Sequence, residues 1–295
     1  MPELPEVEIV RRGLEPVLTG ATIANATINR PDLRFPFPEN FAARLKGERI
    51  LAVNRRAKYL LLVLSGGETL IIHLGMTGRL SVTPPGRKAP PQSFGDYVYD
   101  TGAGPKHDHA IISLSTGARV TYNDPRRFGF MLLAPQTGLD RHPLFANLGV
   151  EPLGNTFDAA YLAAKANNKR TDLKAFLLDQ RIVAGLGNIY VSEALHRAGL
   201  SPTRLAGTLA GRKPAIERAE RLAASIRSVL TAAIAAGGST LKDYRHTDGS
   251  QGGFQNEFAV YGRDGESCST PSCGGTIKRL VQSQRATFFC RVCQR

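Results

Sequence analysis

Cys268, Cys273, Cys290 and Cys293 are the only cysteines of a 295-residue chain, and all four lie within its last 28 residues. Their order is Cys-x4-Cys, sixteen residues, Cys-x2-Cys. A disulfide framework would be spread through a small secreted domain, not gathered at one end of a large chain. Two short knuckles that each offer two thiolates suit a tetrahedral Zn²⁺, with a hairpin between them folding one knuckle onto the other. Gly274-Gly275 and the alternating stretches Thr276–Val281 and Arg285–Phe289 fit that hairpin. Four sulfurs leave no open coordination position, so the expected metal is one structural zinc ion; an iron–sulfur cluster is the alternative the same ligands allow. Ser267–Arg295 holds five basic residues (Lys278, Arg279, Arg285, Arg291, Arg295) and no acid. Four thiolates and Zn²⁺ sum to about −2, so these cations are needed to make the element positive. Arg285, read at the hairpin bend Gln284-Arg285-Ala286-Thr287, is placed to reach outward to phosphates.

The other end of the chain offers a different chemistry. Met1 precedes the small residue Pro2, a context that favours removal of Met1 and would leave a secondary amine on Pro2. An α-amine titrates near ~7.7–8.0, so a usable fraction is unprotonated at neutral pH, unlike lysine. Attack of such an amine on an aldehyde-like carbon gives an iminium ion, an electron sink for elimination. Glu3 stands beside it as a candidate proton donor and acceptor. The spacing by itself fits a plain helix start equally well.

Several loops carry cations next to apolar residues. Lys58 lies in Arg55-Arg56-Ala57-Lys58-Tyr59, at the entry to a strand. Asp124-Pro125-Arg126-Arg127-Phe128-Gly129 reads as a turn whose guanidiniums and ring can hold a phosphate and wedge between bases. His73-Leu74-Gly75-Met76 closes an earlier strand and leaves Met76 as a second apolar wedge. Gly185-Leu186-Gly187-Asn188 lacks the third glycine and the βαβ setting of a dinucleotide loop; before a helix it suits phosphate binding through backbone N–H groups. Lys106-His107-Asp108-His109 has no partner cluster and is read as structural.

These groups need a scaffold and a partner. Lys and Arg total 38 against 25 acids, a net charge of +13, which implies a polyanion: nucleic acid first, an anionic membrane surface second. No apolar run approaches the roughly 18 residues of a membrane span. The start carries acids where a secretory signal has a basic flank, so a cytoplasmic protein is expected. Helical spacing of Leu4, Val7, Val10, Leu14, Val17 and Leu18 predicts an opening helix with Pro5 in its first turn. Strands follow at Tyr59–Leu64, Thr69–Leu74, Ala110–Leu114, Ala118–Tyr122 and Phe130–Leu133, with Val82–Gly104 as an exposed excursion. Ala134–Thr156 is rich in turn residues and reads as a linker. Helices are expected at Asp158–Ala166, Thr171–Leu178, Ile189–Ala198 and Ala219–Ala236, the last stopped by Gly237-Gly238. Thr240–Phe254 is polar and glycine-bearing and reads as a loop.

Taken together, Pro2–Val7, Arg55–Tyr59, His73–Met76, Asp124–Gly129, Gly185–Tyr190 with Ser192-Glu193, Tyr261-Gly262-Arg263 and the terminal cysteines resemble the bacterial formamidopyrimidine-DNA glycosylase family. Leu4 favours it over the sister endonuclease VIII group, which prefers oxidised pyrimidines and usually has glycine there. The resemblance implies an α+β multidomain fold: an N-terminal catalytic β-sandwich with flanking helices (1–134), a linker (135–156), a helix–two-turn–helix module (157–262) and a four-cysteine zinc-ribbon hairpin (263–295). It implies a monomeric glycosylase and abasic-site lyase acting on double-stranded DNA with oxidised purines or abasic sites, through β,δ-elimination. By the same resemblance Pro2 is the Schiff-base nucleophile, Glu3 the general acid/base, and Lys58 and Arg285 complete the catalytic set. Met76, Arg126 and Phe128 would fill the gap left by a flipped nucleotide. His73, Lys174, Asn188 and Tyr244 would contact DNA, and Thr247–Gly252 would cover the extruded base. The first cysteine knuckle has four intervening residues where the family often has two.

Overall fold

The structure is a computed structural model that describes residues 2–86, the backbone of 92–94, and residues 105–239 and 253–295. Its opening helix α1 (Leu4–Leu18) has Pro in the first turn and one buried stripe of Leu4, Val7, Val10, Leu14 and Leu18. Two antiparallel sheets follow. One has the order β1 (Ile23–Ile28), β7 (Asp108–Leu114), β8 (Arg119–Asn123), β5 (Arg79–Thr83), β6 (Gln92–Phe94). The other runs β2 (Ile50–Arg56), β3 (Tyr59–Leu64), β4 (Glu68–His73), β9 (Phe130–Pro135). Strand alternation turns Leu60, Leu62, Ile72, Leu80, Ile112, Val120 and Tyr122 inward, where they share one core with Leu14 and Leu18 of α1. This is the expected β-sandwich.

The reading of Val82–Gly104 as an exposed excursion needs correction. Val82 is buried in β5, and the backbone of Gln92–Phe94 pairs with that strand. Pro84, Pro85 and Gly86 interrupt the alternation and conceal the strand. Residues 87–91 and 95–104 lie outside the described residues.

Helices α3 (Ala159–Ala166) and α4 (Leu173–Leu178) begin at aspartates: Asp158 and Asp172 accept the Tyr161 and Ala175 N–H groups at 2.7 Å. Helices α5 (Asn188–Arg197) and α6 (Ala215–Ala235) complete the helical set, and Gly237 and Gly238 follow α6 with φ of 80° and 87°. Contacts divide the chain into one unit of residues 1–146 and 236–255 and a second of 147–235 and 256–295. In the second unit Phe157, Leu162, Phe176, Tyr190, Leu195, Leu222 and Leu230 are all buried.

The ribbon consists of β10 (Ile277–Gln282) and β11 (Arg285–Cys290), paired from Ile277–Cys290 to Gln282–Arg285. The bend is Ser283-Gln284, with φ of 48° and 62°, so Arg285 is the first residue of β11 rather than part of the turn. Two-residue turns with two positive φ values ordinarily announce themselves by Asn-Gly, and Ser-Gln gives no such signal.

Candidate active site and metal centre

Pro2 and Glu3 are both buried. The Glu3 N–H donates to Glu6 Oε2 at 2.9 Å, holding the chain end against the first turn of α1. The other Glu6 oxygen accepts from the Ser239 N–H at 3.0 Å and hydroxyl at 3.1 Å. Gly238 is required beside it: φ is +87°, and a Cβ there would sit 3.2 Å from Glu6 Oε1. Glu6 therefore ties the Pro2–Glu3 backbone to the chain that enters 240–252. The two flanks of that stretch meet, Gly253 N–H donating to Ala236 O at 2.8 Å and Phe254 N–H to Gly238 O at 3.3 Å. Tyr244 and Thr247–Gly252 fall within it and lie outside the described residues.

Glu8, two residues further along α1, accepts from Arg11, Arg12 and Arg55. Burial raises its pKa, but these three guanidiniums hold the carboxyl below its ordinary value. The Arg55 bond at 3.1 Å ties α1 to β2, whose end forms the turn Ala57-Lys58. Ala57 has φ 52°, a left-handed conformation costing a residue with a Cβ roughly 1–2 kcal/mol. That turn places Lys58, 8% exposed, at the end of the sheet where Tyr59 pairs with His73 and His73 with Phe130.

The His73 ring stacks on Phe130 with centroids 5.2 Å apart and planes at 16°. Its Nδ1 accepts the Gly75 N–H at 3.1 Å, so the ring proton belongs on Nε2, a donor suited to a phosphate oxygen. Burial, then the charges of Lys58 and Arg34, lower its pKa to about 4. Because the unfolded chain binds this proton near ~6.5, His73 contributes stability that is complete above that value and fades as pH falls toward about 4. Between pH 7.5 and 5.0 this group should cost the first unit about 2 kcal/mol, and His73→Phe should remove that component. Urea unfolding at both pH values checks it: an equal acid loss in parent and variant contradicts the buried neutral imidazole.

Next to His73, the loops 73–78 and 124–129 touch backbone to backbone. A Cβ on Gly75 would lie 2.3 Å from Gly129 N, and one on Gly129 would lie 1.8 Å from the Tyr122 hydroxyl. Fully buried Asp124 knots the two loops: it accepts from the Thr77 hydroxyl, from Gly129 N–H at 2.9 Å and from the Tyr122 hydroxyl at 3.3 Å. On that rigid base Met76 and Phe128 are exposed by 38% and 43%, large for apolar side chains. The Arg126 guanidinium lies 4.6 Å from the Phe128 ring centroid, so cation and wedge form one stacked unit.

In the second unit the loop between α4 and α5 is braced by Gln180, whose amide donates to Leu178 O and Leu186 O and accepts from Gly185 N–H. Asn188, first residue of α5, donates through Nδ2 to Ala286 O at 3.0 Å. Arg285 beside it is exposed. Lys174, expected to contact DNA, is fully buried, and its Nζ donates to Ala286 O at 2.9 Å and Thr287 Oγ1 at 2.6 Å. A buried ammonium must be spent on protein acceptors, and this one holds the strand that starts at Arg285. Lys174→Met should destabilise the second unit by about 1–3 kcal/mol and weaken DNA binding without moving its salt slope, since no phosphate contact is lost directly. A slope reduced by about one would contradict this and restore a direct phosphate contact. Glu193, also buried, accepts from the N–H groups of Ala259, Val260 and Tyr261 at 2.8–3.1 Å and so fixes the chain leading into the ribbon.

The four cysteine sulfurs lie within 4.8 Å of one another and form no disulfide. Cys268 and Cys293 sulfurs are 3.8 Å apart, Cys273 and Cys290 sulfurs 3.5 Å. A tetrahedron with Zn–S bonds of about 2.3 Å has edges of roughly 3.8 Å, so the set fits zinc. Among the described residues it is the only such cluster. The Lys106–His109 segment forms none: His109 is buried, with Nε2 2.9 Å from Asp124 O, and Asp108 accepts from Asn123 at 2.7 Å. Burial raises the Cys268 pKa, but hydrogen bonds from Thr270 and His196 bring it down to about 6.

Residues 1–131 match the model of the formamidopyrimidine-DNA glycosylase N-terminal domain, and 148–245 match the helix–two-turn–helix domain of the same enzymes. Residues 271–295 match the zinc finger found in these glycosylases and in isoleucyl-tRNA synthetase, a stretch that begins after Cys268. A formamidopyrimidine-DNA glycosylase of Azorhizobium caulinodans is 58% identical over 296 aligned residues that cover all of both chains. The chain belongs to the formamidopyrimidine-DNA glycosylase family. Among solved glycosylases of this family, the MutM (Fpg) protein of Thermus thermophilus is 40% identical with a TM-score of 0.80, covering 99% of this chain and 98% of its own. A Lactococcus lactis FPG mutant in complex with DNA containing Fapy-dG is 33% identical with a TM-score of 0.84 over all of both chains.

Of the residues the sequence singled out, the structure groups Pro2, Glu3, Lys58, His73, Met76, Arg126 and Phe128 in the first unit. Lys174, Asn188, Arg285 and the four cysteines fall in the second. Glu6, Asp124 and Glu193 lie inside the quoted motifs, yet the sequence gives no sign of their clamping roles, because a carboxylate's partners are far away along the chain. His196 carries no sequence signal at all.

Proposed function

We propose that this chain is a bifunctional DNA glycosylase and abasic-site lyase that excises oxidised purines, 8-oxoguanine and formamidopyrimidines, from double-stranded DNA. The observation that carries the reading is the burial of Pro2 and Glu3, clamped by Glu6, in the same unit that exposes Met76 and the Arg126–Phe128 pair. A base inside the stack is out of reach, so the lesion must be extruded, and the exposed wedges offset the lost stacking. Met1 must be removed for the chemistry to run. The Pro2 nitrogen then attacks C1′; the C1′–N9 bond breaks with its electron pair leaving on the purine, which takes a proton. The resulting iminium acidifies the C2′ proton. Glu3 handles protons at the sugar, and loss of that C2′ proton expels the 3′ phosphate; a second elimination expels the 5′ phosphate, and water releases Pro2.

Lys58, buried beside His73, serves as proton donor or base-recognition group. His73, Asn188, Arg285 and Tyr244 hold phosphates, and Thr247–Gly252 covers the extruded base. One zinc ion, held by Cys268, Cys273, Cys290 and Cys293, stabilises the ribbon that presents Arg285. The enzyme acts as a monomer on cytoplasmic, nucleoid DNA. Among the described residues no helix is long and apolar enough to cross a membrane. The similarity to a glycosylase solved on Fapy-dG DNA supports the purine assignment. Borohydride trapping and excision on a lesion panel test it: 8-oxoguanine and Fapy-dG duplexes should react far faster than thymine glycol, and the reverse ranking overturns the substrate assignment.

A further inference from the structure

The cysteine cluster has an outer layer that the four ligands alone do not account for. His196, in the last turn of α5, places Nε2 3.4 Å from Cys268 Sγ and 3.2 Å from the Thr270 hydroxyl. That hydroxyl in turn lies 3.7 Å from Cys293 Sγ. Thr270 sits inside the long first knuckle, Cys268-Ser269-Thr270-Pro271-Ser272-Cys273, closed by Cys273 N–H to Thr270 O at 3.1 Å and by Ser272 at φ 61°. His196 is not one of the ligands: its ring nitrogens fall outside the set of donor atoms within 4.8 Å of one another.

Zinc-bound thiolates only accept hydrogen bonds, which fixes the direction of each contact. His196 must carry its proton on Nε2 and share it between Cys268 Sγ and Thr270 Oγ1. The single Thr270 hydroxyl proton is then left for the thiolates on either side of it, Cys268 Sγ and, at 3.7 Å, Cys293 Sγ. Four thiolates around one Zn²⁺ carry about −2, and donors that draw off part of that charge strengthen retention of the metal. The same helix begins at Asn188, whose amide holds Ala286 O behind Arg285. Thus α5 touches the start of β11 at one end and the metal knuckles at the other, over ten residues or about 15 Å.

We infer that His196 and Thr270 form a hydrogen-bonded outer shell that positions the Cys268 and Cys293 thiolates on zinc and slows loss of the metal. The two extra residues of the first knuckle are what bring Thr270 into that shell. The inference rests on zinc occupying the four-cysteine set, and total metal content, measured first on every variant, separates failure of that premise from failure of the inference.

The test uses the full-length zinc protein and its cobalt-substituted form, with His196→Phe and His196→Gln, and Thr270→Val and Thr270→Ser. Phe and Val remove the donor, whereas Gln and Ser keep one. Zinc release into an excess of chromophoric chelator should run roughly 10–100-fold faster for His196→Phe and Thr270→Val. In the cobalt forms the sulfur-to-metal charge-transfer band should move to longer wavelength, because an unbonded thiolate is the better electron donor. His196→Gln and Thr270→Ser should return both readouts toward the parent. Parental release rates and an unmoved band in His196→Phe overturn the inference. So does equal acceleration by Phe and Gln, which would mean that the ring acts only by packing. Should His196→Phe fail to fold, the Thr270 pair decides by the same two readouts.

Discussion

Pro2→Gly protein should lose borohydride-trapped adduct with an 8-oxoguanine duplex by more than about tenfold, a loss of at least ~1.4 kcal/mol of transition-state stabilisation. The glycine variant still offers an amine, but a primary one. It forms an imine that must be protonated before it can draw electrons from C2′, whereas proline's secondary amine yields an iminium outright. Glycine also frees the backbone angle that proline fixes beside the Glu6 clamp. Glu3→Gln should keep the amine and lose the proton transfer, lowering excision by roughly 10²–10⁴-fold. Affinity for an abasic-site analogue should change little in either variant, since the exposed wedges Met76 and Phe128 and the Asp124 knot beneath them are untouched. Single-turnover excision and trapping, measured beside affinity, separate these effects. Parental trapping in Pro2→Gly would assign the nucleophile elsewhere, with Lys58 the next amine to examine.

Removal of zinc should produce the second large effect, confined to the second unit. The ribbon's own apolar cluster is small, Val260, Ile277 and Cys290 with a few half-buried neighbours, and cannot hold two strands unaided. Structural zinc supplies about 10–16 kcal/mol of apparent binding energy in comparable peptides, which here is folding energy. Without it the Ser283-Gln284 turn, strained at two positive φ values, has no closure, and Arg285 loses its place. DNA affinity at matched salt should fall by at least about tenfold with a shallower salt slope. Amide exchange in β3 and β4 should stay at its parental level, because their core is built from the sandwich and α1. Unchanged affinity after verified zinc removal rejects this account of the ribbon.

How much of this was legible in the sequence follows from how local each signal is. Strands β3 and β4 were readable as short unbroken apolar runs between turn residues, and β7 and β8 as short β-branched and aromatic stretches on either side of Thr116-Gly117. In β2 a register shift between Ile50 and Ala52 breaks the period of two, and α2 (Phe41–Leu45) is too short to show a helical period. The ribbon was readable from cysteine spacing, since four ligands over 26 residues are a local pattern. The site's clamps were not. Glu6 reaches Ser239, Lys174 reaches Thr287 and His196 reaches Cys268, separations of 233, 113 and 72 residues that no window spans. A lysine also looks the same on paper whether its ammonium meets a phosphate or is consumed by two protein oxygens, and only burial tells the two apart.

The most direct measurement compares two preparations of the same chain, one with the Pro2 amine verified free by mass spectrometry and one with that nitrogen acylated or still joined to Met1. Both are presented with 8-oxoguanine duplex under borohydride, and DNA affinity is followed in parallel. The free form should crosslink and nick the damaged strand, while the blocked form binds but does neither. Equal crosslinking and nicking by the blocked form would contradict the assignment of Pro2 as the attacking group.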